Sequence, residues 1–160
     1  MKFENINLET KYSNTLGKLF KPKIDNKSQS AIYGIPCNSC KEVYIGETSD
    51  INRRRYQHSY DLRTYNQLSP LISHLHKEGH MIKIDNFKTL KYIRNHNFRK
   101  FYEAFAIKNS INFNRDIGNY KIDNITNNYL KQSSSCDNIK HTLEEWAGKN
   151  ELNNQPTQNS

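Results

Sequence analysis

The stretch IYGIPCNSCKEVYIGE, residues 32–47, limits the possible folds more than any other part of the chain. It holds two aromatic-aliphatic-glycine phrases, Ile32-Tyr33-Gly34 and Tyr44-Ile45-Gly46, of the composition that favours strands. Pro36, Asn38 and Ser39 supply turn chemistry between them, so residues 31–36 and 42–46 are expected to form a strand pair. The same turn carries Cys37-Asn38-Ser39-Cys40, two thiols at the spacing of metal ligands.

The elements that follow have recognisable boundaries. Residues 48–65 read as a helix, with Thr48, Ser49 or Asp50 as N-cap and Ile51, Tyr56, Tyr60 and Leu62 leaving the arginines largely on other faces. Ser69-Pro70 opens a short helix over "LISHLHKE", and Gly79 is its C-cap candidate. Residues 86–93 alternate as a third strand, and residues 97–110 place Phe98, Phe101 and Phe105 at helical spacing. Residues 1–30 are polar and basic, and read as an arm. After Tyr120 the pattern weakens, so 121–160 is expected to be weakly structured to disordered, with 31–120 as the folded domain.

Charge points to a partner. The chain of 160 residues carries +8, and 20 Lys or Arg stand against 10 Asp or Glu in residues 1–115, but 4 against 6 in residues 116–160. The positive field belongs to the part with the motifs, and a basic surface attracts polyanions by counterion release. No apolar run approaches the roughly 20 residues of a membrane span, so no membrane partner is expected. Three cysteines suit a metal site in a reducing compartment better than a disulfide framework.

Five side chains together have the makings of a phosphodiester-cleaving site. Tyr33 and Tyr44, on neighbouring strands, can converge on one face. Arg54 and His58, four apart on a helix, are surface neighbours. Glu103, the only acid in a basic, aromatic helix, offers hard oxygen to a divalent cation. Singly, each has an ordinary reading: strand tyrosines pack, and helical Arg, His and Glu usually face water.

In order and spacing the set resembles the GIY-YIG nuclease superfamily. Ala31-Ile32-Tyr33 and Tyr44-Ile45-Gly46 are similar to its two signatures, Arg54 and His58 to its R-x-x-x-H, Glu103 to its metal-binding glutamate, and Asn114 to its late asparagine. Ala31 stands where the first glycine is usual, and Glu47 puts a negative charge beside the second signature. Over residues 13–120 the chain more closely resembles the endonuclease domain of Penelope-like retroelements. That resemblance implies structural zinc on Cys37, Cys40, His74 and His80, with His76 a competing ligand, and catalytic Mg²⁺ (or Mn²⁺) on Glu103. Cys136 is left as an ordinary thiol.

The expected fold is therefore α/β (α+β), a small three-stranded mainly antiparallel sheet flanked by helices, as in GIY-YIG nucleases. The expected activity is a metal-dependent DNA endonuclease that nicks one strand, with Tyr33 or Tyr44 near the attacking water. Arg53, Arg55 and Arg63 are candidates for holding DNA phosphates. The resemblance further implies a nuclear location and a reverse transcriptase domain as partner in the parent element. The competing expectation is a zinc-stabilised nucleic-acid-binding module without catalysis.

Overall fold

Side-chain alternation sorts the sheet into two faces. In the computed structural model, which describes residues 29–118 and 120–149, β1 (Ala31–Pro36) and β2 (Val43–Thr48) pair antiparallel, with Tyr33 opposite Gly46 and Ile35 opposite Tyr44. β3 (Lys88–Tyr92) lies antiparallel on the other edge of β1, giving the order β2-β1-β3. The expected three-stranded antiparallel sheet is present. Its period of two sends Ala31, Tyr33, Ile35 and Tyr44 to one face, among Ile51, Leu71 and Ile82. It sends Ile32, Val43, Ile45 and Leu90 to the other, among Phe105, Ile139 and Trp146.

The five described α-helices divide between those faces. α1 (Ile51–Thr64) and α2 (Pro70–Glu78) supply the first; α3 (His96–Lys108), α4 (Asn124–Gln132) and α5 (Asp137–Lys149) supply the second. Of the three cap candidates for α1, Asp50 takes the role: its side chain accepts from Arg53 N at 3.0 Å. Thr48 instead holds the backbone of Asp50. Gly79 ends α2 at φ 69, the left-handed conformation that glycine adopts without a Cβ clash. No described helix is long and apolar enough to cross a membrane.

One expectation needs correction. Residues 121–149 are not a loose tail but include α4 and α5, and Ile122, Leu130, Ile139, Leu143 and Trp146 are buried in the same core as the sheet. The reason lies in β1. A Cβ on Gly34 would lie 2.5 Å from the Trp146 ring, so the glycine leaves the hollow that the indole fills. Trp146→Ala is expected to cost about 3–5 kcal/mol, read as a lower urea midpoint with an unchanged slope. A midpoint within error of the parent would mean that α5 is not part of the cooperative fold. The basic arm, residues 1–28, and the end from residue 150 lie outside the described residues.

Candidate active site and metal centre

The helix cap and the strand register together bring four expected residues into contact. Asp50 starts α1 beside the end of β2, which aims Arg54 and His58 at the face that carries Tyr33 and Tyr44. Arg54 Nε donates to the Tyr33 hydroxyl at 2.8 Å, and that hydroxyl lies 2.8 Å from His58 Nε2. The Tyr44 ring packs edge-on to His58 with centroids 5.4 Å apart, and 6.3 Å from the ring of Tyr33. Phe87 stacks on Tyr33 at 4.6 Å and fixes its ring plane. Tyr33 and His58 are almost wholly buried.

Protonation follows from that burial. Desolvation drives the Tyr33 phenol far above its ordinary value, and Arg54 only partly opposes it. Burial, and then the Arg54 charge, push His58 down to about 3, so its imidazole is neutral. With Arg54 donating to the Tyr33 oxygen, the network assigns the Tyr33 proton to His58 Nε2. Tyr33 is thus a protonated phenol held in a fixed position, with a ready acceptor behind it.

The glycine of the second phrase has a structural cause. A Cβ on Gly46 would lie 2.5 Å from the Tyr33 hydroxyl. Gly46 therefore makes room for the group on which Arg54 and His58 converge.

Glu103 belongs to a neighbouring charge cluster on the other face of the sheet. Lys100 Nζ sits 3.3 Å from Glu47 Oε1 and 3.6 Å from Glu103 Oε2, an ammonium shared by two carboxylates. Arg99, itself buried, donates to Glu47 Oε2 at 2.8 Å and to the carbonyls of Ile93 and Arg94. Burial raises Glu47, but the Arg99 and Lys100 hydrogen bonds outweigh it and its carboxyl is held below the usual range. Burial raises Glu103, and Lys100 does not fully offset it. The negative charge expected beside the second signature is therefore compensated by two cations. Glu47 also lines an open cleft of about 260 Å³ with Thr48, Asp50, Arg53, Arg54 and Gln57, which links this cluster to the Tyr33 side.

Asn114 acts on the backbone. Residues 111–113 run parallel to the outer edge of β2, with Val43 N donating to Ile111 O and Phe113 N to Val43 O. Where that ladder stops, the Asn114 amide takes over, accepting from Ile45 N at 2.9 Å and donating to Ile45 O at 2.6 Å. Its place is to brace the strand that carries Tyr44.

The metal-ligand candidates from three separate segments meet. One donor atom from each of Cys37, Cys40, His74 and His80 lies within 4.8 Å of the others, and Cys40 Sγ is 3.6 Å from His74 Nε2. His76 is exposed, so the competing ligand is outside the cluster. Three details fit a bound cation. His80 Nδ1 is buried without a hydrogen-bond partner, which a ligand bond would satisfy. His74 Nδ1 faces Glu42 Oε2 at 3.2 Å, the carboxylate contact that fixes the ring with Nε2 toward the thiols. Ser39 N donates to Cys37 Sγ at 3.4 Å, as suits sulfur carrying negative charge. Burial pushes the Cys40 thiol up to about 11 and lowers His74, so a metal here takes a neutral imidazole and displaces thiol protons.

The three arginines proposed for DNA sit on α1 and are exposed. Arg55 faces Asp85 at 3.8 Å, while Arg53 borders the cleft. Residue-type reasoning missed Arg99, Lys100, Phe87 and Glu42. Only Arg99 and Lys100 left a signal, as adjacent cations one turn before Glu103. No family model, curated protein or solved structure matches the chain.

Proposed function

We propose that this chain is a divalent-metal-dependent DNA endonuclease that nicks one strand by hydrolysis and is stabilised by zinc. The observation that carries the reading is the buried Tyr33 hydroxyl held at 2.8 Å by both His58 and Arg54, the arginine in turn lining a cleft in a basic domain. Hydrolysis that leaves a 3′-hydroxyl requires water oxygen to bond phosphorus as the P–O3′ bond breaks. Arg54 offers a fixed cation to the developing charge. Tyr33, kept a protonated phenol by its bonds to Arg54 and neutral His58, would orient the attacking water, whose proton leaves to solvent.

Glu103 would hold the Mg²⁺ in place of the Lys100 ammonium that it now shares with Glu47. Bound there, the metal supplies Lewis acidity to the phosphoryl oxygens. Zinc on Cys37, Cys40, His74 and His80 would tie the β1–β2 turn to α2 and the following loop. The nick suits priming of reverse transcription by a partner domain in a Penelope-like element acting in the nucleus.

The second reading is a zinc-stabilised DNA-binding module without catalysis, favoured by the engagement of Glu103 with Lys100. Supercoiled plasmid separates the two. Mg²⁺-dependent conversion to open circles is expected for the parent, with losses on the order of 10²–10³-fold for Arg54→Ala and a similar loss for Glu103→Gln, both variants still binding DNA. No conversion by the parent, with salt-sensitive binding retained, establishes the second reading instead.

A further inference from the structure

The inward face of α1 is taken by Ile51, Arg54, His58 and Leu62, which leaves the opposite face to water. That outer face carries Arg53, Tyr56, Tyr60 and Arg63, at intervals of three, four and three residues that place them in one stripe. Both tyrosines are well exposed, Tyr56 at 65% and Tyr60 at 52%. Among the described residues, no carboxylate interrupts the stripe. Asp61, the acid within α1, lies to the inner side and accepts from Asn66 Nδ2 at 2.8 Å, while Asp85 meets Arg55 on the flank. Arg53, at one end, also lines the cleft beside Arg54.

Two aromatic rings flanked by cations fit a polyanion with accessible base faces. The helical rise sets the two rings about 6 Å apart along the axis. Neighbouring bases in one strand of a duplex step by only about 3.4 Å, and their faces are covered by stacking. An unpaired strand can stretch to the longer step and offer both faces. We propose that this face of α1 binds single-stranded DNA, two unpaired bases stacking on Tyr56 and Tyr60 while Arg53 and Arg63 hold the flanking phosphates. This rests on the nuclease reading for one consequence: the preferred substrate has an unpaired stretch next to the scissile phosphate, as at a flap or bubble.

Fluorescence anisotropy on the full chain tests this, in zinc-replete buffer without Mg²⁺. The probes are a labelled twelve-nucleotide oligo-dT and a labelled hairpin duplex of matched length. The parent should bind oligo-dT more tightly. Tyr56→Ala and Tyr60→Ala should each weaken that binding by roughly tenfold and leave duplex affinity unchanged, while Tyr56→Phe and Tyr60→Phe retain it. Equal affinity for the two probes, unchanged affinity in the alanine variants, or equal loss in the phenylalanine variants overturns the proposal, the last making the phenol a phosphate contact. Plasmid nicking by the same preparations keeps the two failures apart. Nicking without a single-strand preference sinks only the stacking surface, and the preference without nicking sinks only the nuclease.

Discussion

Stripped of zinc by a strong chelator, the protein is expected to melt on the order of 15 °C lower than in zinc-replete buffer. At free zinc a thousandfold above Kd, binding to the folded state alone contributes about 4 kcal/mol. In a domain of this size each kcal/mol moves the melting temperature by a few degrees. The structural cause is that the cluster joins three segments separate in sequence. Cys37 and Cys40 come from the β1–β2 turn, His74 from the middle of α2, and His80 from the loop after Gly79. Without the ion, His80 Nδ1 is a buried polar atom with no partner, a state that costs about 1–3 kcal/mol. Cys40→Ser should reproduce the chelator's effect, and His76→Ala, two residues from His74 but exposed, should not. Elemental analysis finding no zinc in the purified protein, with a melting point indifferent to chelator, would leave the cluster as packed thiols and imidazoles.

The parts of this site that were legible in the sequence share a local signature. Cys37 and Cys40 are three apart, Arg54 and His58 four apart, and the two tyrosines sit in matching strand phrases, so period and spacing alone bring each pair together. What stayed hidden depends on contacts distant in sequence. That Trp146 fills the hollow over Gly34 spans 112 positions and leaves no trace in either neighbourhood. The signal within α5 was present, since Ile139, Leu143 and Trp146 recur at helical spacing, but the Asn- and Ser-rich residues before them diluted it. The Lys100 bridge illustrates a different limit. Sequence suggested that Glu47 would carry bare negative charge, and only the register of β2 against α3 puts two cations on it. Asn114 was recognisable as a site residue, yet its task, continuing a ladder beside β2 with its side-chain amide, is visible only once the neighbouring segment is in place.

Gly46→Ala is expected to reduce plasmid nicking on the order of 10²-fold while leaving DNA binding intact. The added methyl would sit 2.5 Å from the Tyr33 oxygen and 2.6 Å from the ring carbon that bears it, closer than any real contact. Tyr33 has little freedom to give way. Its ring is wholly buried and stacked on Phe87, and its hydroxyl is tied to Arg54 and His58. Moving the phenol therefore moves the bond to Arg54 with it, and a displacement of about 1 Å at a reacting group is enough for a loss of this size. Stability should fall much less, by about 1–3 kcal/mol as for other overpacked cores. Gly148→Ala provides the control: a Cβ there meets nothing within 4 Å and the position is helical, so nicking should be unchanged and stability equal or slightly higher. If Gly46→Ala nicks at the parental rate while its structure keeps the methyl, Tyr33 has moved without consequence. The hydroxyl would then be a core hydrogen bond, and the chemistry would have to run through Tyr44 and Arg54 without it.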